Sequence, residues 1–447
     1  MKATKFRNVI LLCCVLFGIL NYLDRSAIAF FAMPIMKTFH VDHAGFGLIA
    51  SAFGTGYLIF TCVGGWLADA VGARRIFGVA GLVWGISTAA IGIVTGFGGL
   101  FAARAALGAA EGPVYPAMIK LFSDWMPGHA RTTAVAYAIP VSVGLGVVFG
   151  GPIASFVLVT THTWQVMFYG LGIVSIIMGI LMYCIIRDDP AKSKHVNEAE
   201  LDYIRSGRQS SHHSGKASGP IVIKISEMFS DLTLLSVYYG FFALGYFFWF
   251  TLTWLPNFLE VTFKISLASS ALFSILPWLA YIIGSLVGGY LSDRGTRRTG
   301  SHRTKKHLIW ISLIGATIII LPVVMVHSLA VALVCFTGAL GVAGICVPPL
   351  FALNADVCPQ RPGLSSGFMD GAFALAGILA PLVSGMVVQL GGGFGIAIIF
   401  AAIVTASGAL CIILLNSPDK ASQKFFDLEH KRRADPVYLS EHRSLHS

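Results

Sequence analysis

The segment Gly65–Arg75 reads GWLADAVGARR, and 224 residues further along the chain Gly289–Arg298 reads GYLSDRGTRR. Each begins with glycine, an aromatic residue, leucine, a small residue and aspartate, and each ends with two arginines. Each also follows a long apolar run. A polar loop that recurs at the same place after two apolar runs indicates an internal duplication. We therefore expect a membrane protein built from two related halves.

The composition is that of a protein that crosses a membrane many times. Of the 447 residues, 56% are hydrophobic and only 12% are charged, and the mean hydropathy is +0.77. Soluble domains carry about 25% charged residues, and a membrane-spanning helix needs about 20 apolar residues. We predict an all-α membrane protein with twelve transmembrane helices in two six-helix pseudo-repeats. The predicted spans are 8–34, 45–70, 75–95, 97–124, 132–159, 165–186, 230–260, 266–292, 307–326, 328–353, 363–390 and 394–416.

Four segments follow from this pattern. They are an N-terminal six-helix half (1–190), a cytoplasmic linker with a short amphipathic helix (191–226), a C-terminal six-helix half (227–416) and a charged, mobile cytoplasmic tail (417–447). The first apolar run is interpreted as an uncleaved span and not as a signal peptide. It has no short core followed by a small-residue cleavage site, and it contains Asp24 and Arg25.

The basic residues are placed in a way that argues against nucleic-acid binding, although the net charge is +10. All of the 31 Lys and Arg residues except Lys37, Lys264, Arg25 and Arg104 fall in segments predicted to lie on one side of the membrane. This is the bias that places basic loops in the cytoplasm. The sequence therefore predicts a multi-pass protein of the inner (plasma) membrane with both termini cytoplasmic. We expect a monomer in contact with the lipid bilayer and with no nucleic-acid partner.

Four charged residues lie inside predicted spans: Asp24 and Arg25 in the first, and Arg104 and Glu111 in the fourth. A charge at mid-membrane costs about 3 kcal/mol or more, so the four are expected to face one another or a wet cavity. Arg104 and Glu111 are two helical turns apart and share one face of their helix. Asp24 and Arg25 differ by about 100° around theirs and point to different neighbours. This balanced set indicates a site that handles ions.

The residue types suggest a role for each charge. Arg25 is expected to bind a carboxylate, because a guanidinium group matches it with two N–H groups and stays charged. Asp24 is expected to pair with Arg104. Asp24 and Glu111 are expected to carry the protons, since none of the 13 His residues falls in the middle of a span. Two alternatives stay open: a purely structural role for Glu111 in an ion pair, and Asp24 as a fixed counter-ion of Arg25.

The repeated loop resembles the signature loop of the major facilitator superfamily, and the resemblance covers about residues 8–416. Within that superfamily the chain resembles the anion:cation symporter group, which contains sugar-acid/proton symporters and is related to sialic-acid and vesicular glutamate carriers. The segments that carry this resemblance, besides the loop, are Asn21–Arg25, Arg104–Ala117, Trp125–Pro127, Glu200–Ile204, Trp254–Pro256 and Leu276–Trp278.

The resemblance implies a central site between two halves, with Arg25 facing the substrate. It also implies that the two copies of the loop hold the cytoplasmic side shut when the protein opens outward. The residues expected to form this conformational gate are Asp69, Arg74, Arg75 and Asp293.

Three positions depart from the pattern of this group. Sugar-acid members carry an amide near the middle of the fifth span, where this chain has Ser142, and asparagines near the start of the eleventh, where it has Asp370 and Ala374. These positions would contact sugar hydroxyls, so the departures bear on the substrate and not on the transporter class. Residues expected to complete the substrate pocket are Arg104, Ser142 and Asp370, with Tyr22, Tyr57, Tyr246 and Trp249 as possible walls.

The sequence predicts a proton-coupled secondary transporter that imports a small organic anion by alternating access. The alternative is a proton-driven exporter of a metabolite or drug with the same fold, which the glycine-rich segment Gly144–Pro152 would suit. The sequence contains no metal-ligand cluster, nucleophile motif or phosphate-binding loop. We therefore expect no enzyme activity, no cofactor and no metal.

Overall fold

A computed structural model describes residues 3–127, 134–135, 137–204, 225–299, 302–325, 327–358 and 362–433. In these residues the secondary structure is helical throughout, joined by short turns. The first six long helices are α1 (Phe6–Phe30), α2 (His43–Val71), α3 (Ala73–Ile93), α4 (Phe97–Glu111, continued by Val114–Trp125), α5 (Ser142–Thr161) and α6 (Gln165–Ile185). A short helix, Ala32–Phe39, follows α1, and a π-helical turn, Tyr137–Val141, leads into α5.

The remaining helices follow the linker. They are α7 (Leu232–Phe263), α8 (Leu267–Phe273, continued by Ile275–Thr299), α9 (Arg303–Ile320, continued by Pro322–Met325), α10 (Leu329–Ile345, continued by Val347–Val357), α11 (Pro362–Val387), α12 (Gly393–Leu415) and α13 (Pro418–Arg433). Shorter helical segments are Pro190–Lys192, 198–204, Ile225–Phe229 and the π-helical turn Val388–Gly392.

The helices α1 to α12 correspond one by one to the twelve predicted spans, which confirms the predicted fold class. Within the described ranges, ten stretches are long and apolar enough to cross a membrane. One of them, Leu364–Leu415, contains both α11 and α12. The helix α4 is not among the ten because Gly112 and Pro113 divide it, and proline has no N–H to continue a helix. The predicted bounds differ most at α5, which begins at Ser142 after the π-helical turn and not at 132, and at α8, which ends at Thr299 and not at 292.

Matching glycines bring matching helices together in the two halves. A Cβ atom at Gly56 of α2 or Gly108 of α4 would lie 2.0 Å from a backbone oxygen of the facing helix. In the second half, a Cβ at Gly284 or Gly288 of α8 would lie 1.9 or 2.0 Å from a backbone oxygen of α10. Small residues allow this backbone approach inside a membrane bundle. The second and fourth helices of each half therefore pack in the same way, as expected from a duplication.

The two halves are pressed together along α2 and α11, at the end of the bundle away from the chain termini. A Cβ at Gly47 would lie 2.5 Å from the Pro381 oxygen, and one at Gly385 would lie 2.4 Å from the His43 oxygen. The Trp254 ring of α7 stacks on His43 at 6.0 Å between ring centroids. We call this glycine-lined contact the far-end seal, and the opposite end of the bundle the terminal face.

The start of the linker is attached to the terminal face through Glu200. Its carboxylate accepts hydrogen bonds from the Thr4 hydroxyl, from the backbone N–H groups of Phe6 (2.9 Å) and Arg7 (3.1 Å), and from the Arg7 guanidinium (3.0 Å). Burial alone would raise the pKa of Glu200, but these hydrogen bonds and the Arg7 charge hold that pKa below its usual value. The linker therefore caps the N-terminus of α1.

The expectation of a mobile tail is wrong for its first part. Residues Pro418–Arg433 form α13, in which Lys424 makes a 2.9 Å ion pair with Asp231 at the start of α7. The physical reason is burial on one side of the helix: Ala421 and Phe425 are buried although the segment is rich in charge. The predictions for residues 205–224 and 434–447 lie outside the described residues.

Candidate functional site

Arg25 and Glu111 form an ion pair in the middle of the first half. The Arg25 Nε atom lies 2.7 Å from the Glu111 Oε2 atom, and 1% and 0% of the two side chains are exposed. Glu111 is the last residue before the break in α4. The pair is incompletely bonded, because neither Arg25 Nη2 nor Glu111 Oε1 has a hydrogen-bond partner. Buried polar atoms without partners are rare, and they indicate a place where another group binds.

Aromatic rings surround the Arg25 guanidinium. Its Cζ atom lies 4.7 Å from the centre of the Tyr22 ring, 4.8 Å from that of Phe53 and 4.6 Å from that of Tyr57. Ring faces attract a cation within about 6 Å. The rings therefore stabilise the charge of Arg25 in a dry setting, and its Nη2 group is left for an anion.

Arg104 shares one of these rings with Arg25. The Arg104 Cζ atom lies 5.2 Å from the centre of the Phe53 ring. Its Nε and Nη1 atoms are buried without a hydrogen-bond partner. Two guanidinium groups with unused donors therefore flank one aromatic side chain, and an acid with two or three oxygens could bind them.

Asp24 is hydrogen-bonded to side chains of α3 and α6. Its Oδ2 atom accepts hydrogen bonds from the Trp84 indole N–H, from Thr88 at 3.1 Å and from Ser175 at 3.5 Å, while Oδ1 has no partner. The expected ion pair of Asp24 with Arg104 is wrong: within the described part of the chain, no cation lies within 4.0 Å of Asp24. The reason is that neutral donors of α3 and α6 occupy the Asp24 Oδ2 atom in place of a guanidinium group.

Asp370, in the second half, is hydrogen-bonded to side chains of the first half. It lies on α11, and its Oδ2 atom accepts hydrogen bonds from Thr61 (3.2 Å) and Tyr57 (3.5 Å) of α2. The same Tyr57 ring covers Arg25. The structure therefore places Asp370 beside the Arg25 cluster, at the boundary between the two halves.

Trp249 of α7 is also brought to this place. Its ring lies 5.9 Å from that of Phe53 and 5.9 Å from that of Phe373, and its Nε1 atom is buried without a partner. Tyr22 contacts the second half through Phe248, at 6.2 Å between ring centres. The two aromatic residues therefore lie where the halves meet.

Ser142 and Tyr246 lie elsewhere, so their predicted places in the pocket are not supported. The Ser142 hydroxyl donates to the backbone oxygens of Ala138 (2.7 Å) and Ile139 (3.0 Å), the i−4 and i−3 bonds that a serine ordinarily makes in a helix. The Tyr246 ring packs on Phe400, at 5.7 Å between ring centres, because this side of α7 faces α12. Ser142 therefore serves a helix contact, whereas the Tyr246 ring packs between helices and its buried hydroxyl has no hydrogen-bond partner.

The residues of the predicted gate are only partly described. Arg74 donates from Nε to the Tyr183 oxygen at 2.8 Å, and its backbone N–H donates to Asp188 at 3.0 Å, so it ties α3 to the end of α6. Arg75 and Asp293 are exposed on the terminal face. The Asp69 side chain lies outside the described residues. The gate therefore stays a prediction.

Several residues of the site were not identified from the sequence. Phe53 and Thr61 lie four residues before and after the predicted Tyr57 on α2 and form one ridge with it beside Arg25 and Asp370, and that spacing was an available signal. Trp84 was harder to identify from the sequence, because a buried indole N–H needs an acceptor but the sequence does not show which residue provides it. The residues added by the structure are Asn21, Phe53, Thr61, Trp84, Thr88, Tyr115, Ser175 and Phe373.

A bundle of twelve apolar helices around buried, incompletely bonded charges defines a membrane transporter and not an enzyme. Comparison with known proteins agrees: residues 14–369 match the Major Facilitator Superfamily, and the chain belongs to this family. The predicted resemblance to this superfamily is therefore confirmed, and the protein is a multi-pass membrane transporter.

Similar proteins extend over nearly the whole chain. A probable sulfoacetate transporter of Cupriavidus necator is 28% identical over 95% of this chain and 98% of its own length. A D-galactonate transporter of Escherichia coli is 29% identical (93% and 96%), and a hexuronate transporter of Bacillus subtilis is 27% identical (93% and 96%). These relatives agree with the expected organic-anion group.

A solved structure shows the same fold. It is a bacterial homologue of the human lysosomal transporter Spinster in an inward-facing, unoccupied conformation, and it matches with a TM-score of 0.70. The identity is 17%, with 95% of this chain and 98% of that chain covered. This likeness concerns the fold alone.

Proposed function

We propose that this transporter carries a small organic anion into the cell together with protons, by alternating access of its two halves. The observation that carries the proposal is the pair of buried guanidinium groups, Arg25 and Arg104, in which Arg25 Nη2 and Arg104 Nε and Nη1 have no hydrogen-bond partner. Two-pronged N–H donors in a water-poor setting suit a carboxylate or sulfonate. The relatives are named as transporters of sulfoacetate, galactonate and hexuronate, which are organic acids.

Glu111 supplies a physical link between proton and anion. Its carboxylate occupies Arg25 in this structure, at 2.7 Å. When Glu111 takes up a proton, its attraction for Arg25 falls and the guanidinium becomes free for the substrate. Loss of that proton lets Glu111 compete with the bound anion and favours its release. Proton and anion would thus bind together.

Asp24 is a second candidate proton site. It is 1% exposed and has three neutral hydrogen-bond donors but no cation within ion-pair distance among the described residues. A buried carboxylate without a counter-ion is costly when charged, so proton uptake there would be favoured in part of the cycle. Asp24 and Arg25 are neighbours on α1, so a change at one is felt at the other.

The finer features of the proposal rest on the placement of charge. The bias of basic residues toward one side supports a cytoplasmic terminal face, and with it a multi-pass protein of the inner (plasma) membrane. We propose that the monomer works alone, since each chain contains a complete pair of halves. The gate of Asp69, Arg74, Arg75 and Asp293 would hold the cytoplasmic side shut in the outward-open state.

Transport in proteoliposomes tests the proposal. Acid outside should drive accumulation of a transported organic acid inside, and a protonophore should abolish accumulation. Uptake that ignores the protonophore would contradict proton symport. If inside-directed protons instead expel the substrate, the exporter alternative is correct.

The Glu111→Gln variant separates coupling from binding. Glutamine mimics the protonated carboxyl group permanently, so the variant should exchange substrate across the membrane but should not concentrate it. Glu198→Gln, at an exposed linker position, is the matched control and should behave as wild type. A Glu111→Gln protein that accumulates substrate normally would assign Glu111 a purely structural role. Loss of exchange as well would show that Glu111 also serves binding.

A further inference from the structure

The described charges near the centre do not balance once Asp370 is included. Asp24, Glu111 and Asp370 are three carboxylates, whereas Arg25 and Arg104 are two cations. Arg25 is already paired with Glu111. Within the described residues, Asp370 has no cation within 4.0 Å, although it lies between two helices inside the bundle. A carboxylate in this position favours a positively charged partner, and no described residue supplies one within ion-pair distance.

The contacts of Asp370 leave room for that partner. Both of its hydrogen bonds, from Thr61 at 3.2 Å and Tyr57 at 3.5 Å, go to the Oδ2 atom. A carboxylate offers about four acceptor positions, and no described residue donates to Oδ1. The side chain is half-buried, so it can be reached by a ligand between the halves.

A continuous row of aromatic rings runs beside this carboxylate. Tyr57 stacks on Phe53 at 5.7 Å, Phe53 lies 5.9 Å from Trp249, and Trp249 lies 5.9 Å from Phe373. Phe373 is one helical turn from Asp370 on α11. Aromatic faces next to a carboxylate are the chemistry that binds an organic ammonium group. A strongly hydrated metal ion would prefer oxygen ligands in place of rings.

Tyr57 sets the spacing between the two charged ends. Its ring centre lies 4.6 Å from the Arg25 Cζ atom, and its hydroxyl lies 3.5 Å from Asp370. One tyrosine side chain therefore separates a cation with unused donors from an anion with unused acceptor positions. A small molecule with an acid at one end and an ammonium group at the other would satisfy both.

We propose that the substrate is a zwitterion, an acid that also carries an ammonium group, and that Asp370 binds this group. The proposal rests on the function proposed above, in which Arg25 binds the acid. A second acid group near Asp370 would be repelled, so dicarboxylates are disfavoured. A hydroxyl group would gain one hydrogen bond but no charge attraction.

Matched pairs of acids that differ only in this group test the proposal. The pairs are glycine and glycolate, 3-aminopropanoate and 3-hydroxypropanoate, and 4-aminobutanoate and 4-hydroxybutanoate. Binding is read from the concentration that gives half of the maximal thermal stabilisation of the purified full-length protein. In at least one pair, the amino member should bind about tenfold more tightly, as a hydrogen bond to a charged group provides.

Two variants assign the preference to Asp370. In Asp370→Asn the two members of the pair should bind within about twofold of each other, because the asparagine keeps the shape but loses the charge. The control Asp427→Asn removes a charge from an exposed position on α13 and should keep the full preference. If Asp370→Asn does not fold, the wild-type comparison alone decides.

Three results would overturn the proposal. They are equal binding of both members of every pair to wild type, an amino preference that survives in Asp370→Asn, and no stabilisation by any amino member. The proposed function is judged separately, by proton-driven uptake of acids without an amino group. If such acids are accumulated and the amino preference is absent, the function stands and the zwitterion proposal falls.

Discussion

Arg25 combines one ion pair with three close aromatic rings, and this combination makes lysine a poor substitute for it. Lysine would keep the charge but lose the flat, two-pronged group that bonds an acid and stacks on Tyr22, Phe53 and Tyr57. We expect Arg25→Lys to weaken the apparent substrate affinity at least about tenfold, or about 1.4 kcal/mol. The measurement is the half-saturating substrate concentration for exchange in proteoliposomes. Near-normal affinity would move the anchoring role to Arg104.

The sequence could reveal these charged residues but not their partners. Asp24, Arg25, Arg104 and Glu111 were found because a charge in an apolar span is conspicuous. The pairing of Arg25 with Glu111 depends on how α1 packs on α4, and the helical period alone cannot give that. Asp24 is bonded by neutral donors of α3 and α6, and indole and hydroxyl groups in apolar helices usually serve packing.

At the scale of the element, the contact of α2 with α4 controls the position of Phe53. A Cβ at Gly108 would lie 2.0 Å from the Phe53 backbone oxygen, and backbone cannot move aside as a flexible side chain can. The Phe53 ring lies against both Arg25 and Arg104. A small change on α4 is therefore transmitted directly to the site.

We expect Gly108→Ala to destabilise the protein by about 1–3 kcal/mol, as overpacking does, and to impair transport. Gly98→Ala is the matched control, because it lies on the same helix and nothing lies within 4 Å of its added Cβ. The apparent melting temperature and the exchange rate should fall for the first variant and stay near wild type for the second. Equal behaviour of the two variants would show that α2 and α4 can separate without consequence.

Hydropathy could give the number and order of the helices because each span must be long and apolar to cross a bilayer. It was less informative where the chain leaves the membrane. The helix α8 continues past its predicted end to Thr299, and α13 forms in a segment interpreted as mobile. In these places tertiary contacts, such as that of Lys424 with Asp231, replace the bilayer as the cause of structure.

At the scale of the whole molecule, the far-end seal must open and close in the transport cycle. A Cβ at Gly385 would lie 2.4 Å from the His43 backbone oxygen, so Gly385→Ala should weaken the closed seal. A cost of about 1–3 kcal/mol would change the ratio of closed to open molecules by roughly 5- to 150-fold. The control Gly367→Ala lies on the same helix, and nothing lies within 4 Å of its added Cβ, so it should leave this ratio unchanged.

Spin labels at the exposed positions His162 and Leu390, one in each half near that end, would measure the effect. The native cysteines would first be replaced. Gly385→Ala should show a larger population at long label-to-label distances than wild type or Gly367→Ala. An unchanged distance distribution would mean that the seal tolerates the methyl group and that other contacts hold this end shut.

The cap that Glu200 provides to α1 changes where the protein can be divided. Thr4, Phe6 and Arg7 are bonded to a residue that comes after all six helices of the first half. A gene cut at Arg187, where α6 has ended, would separate α1 from its cap, and α1 carries Asp24 and Arg25. Two separately expressed fragments should reassemble only if the cut falls after Ile204, because the first fragment then contains Glu200, which caps α1.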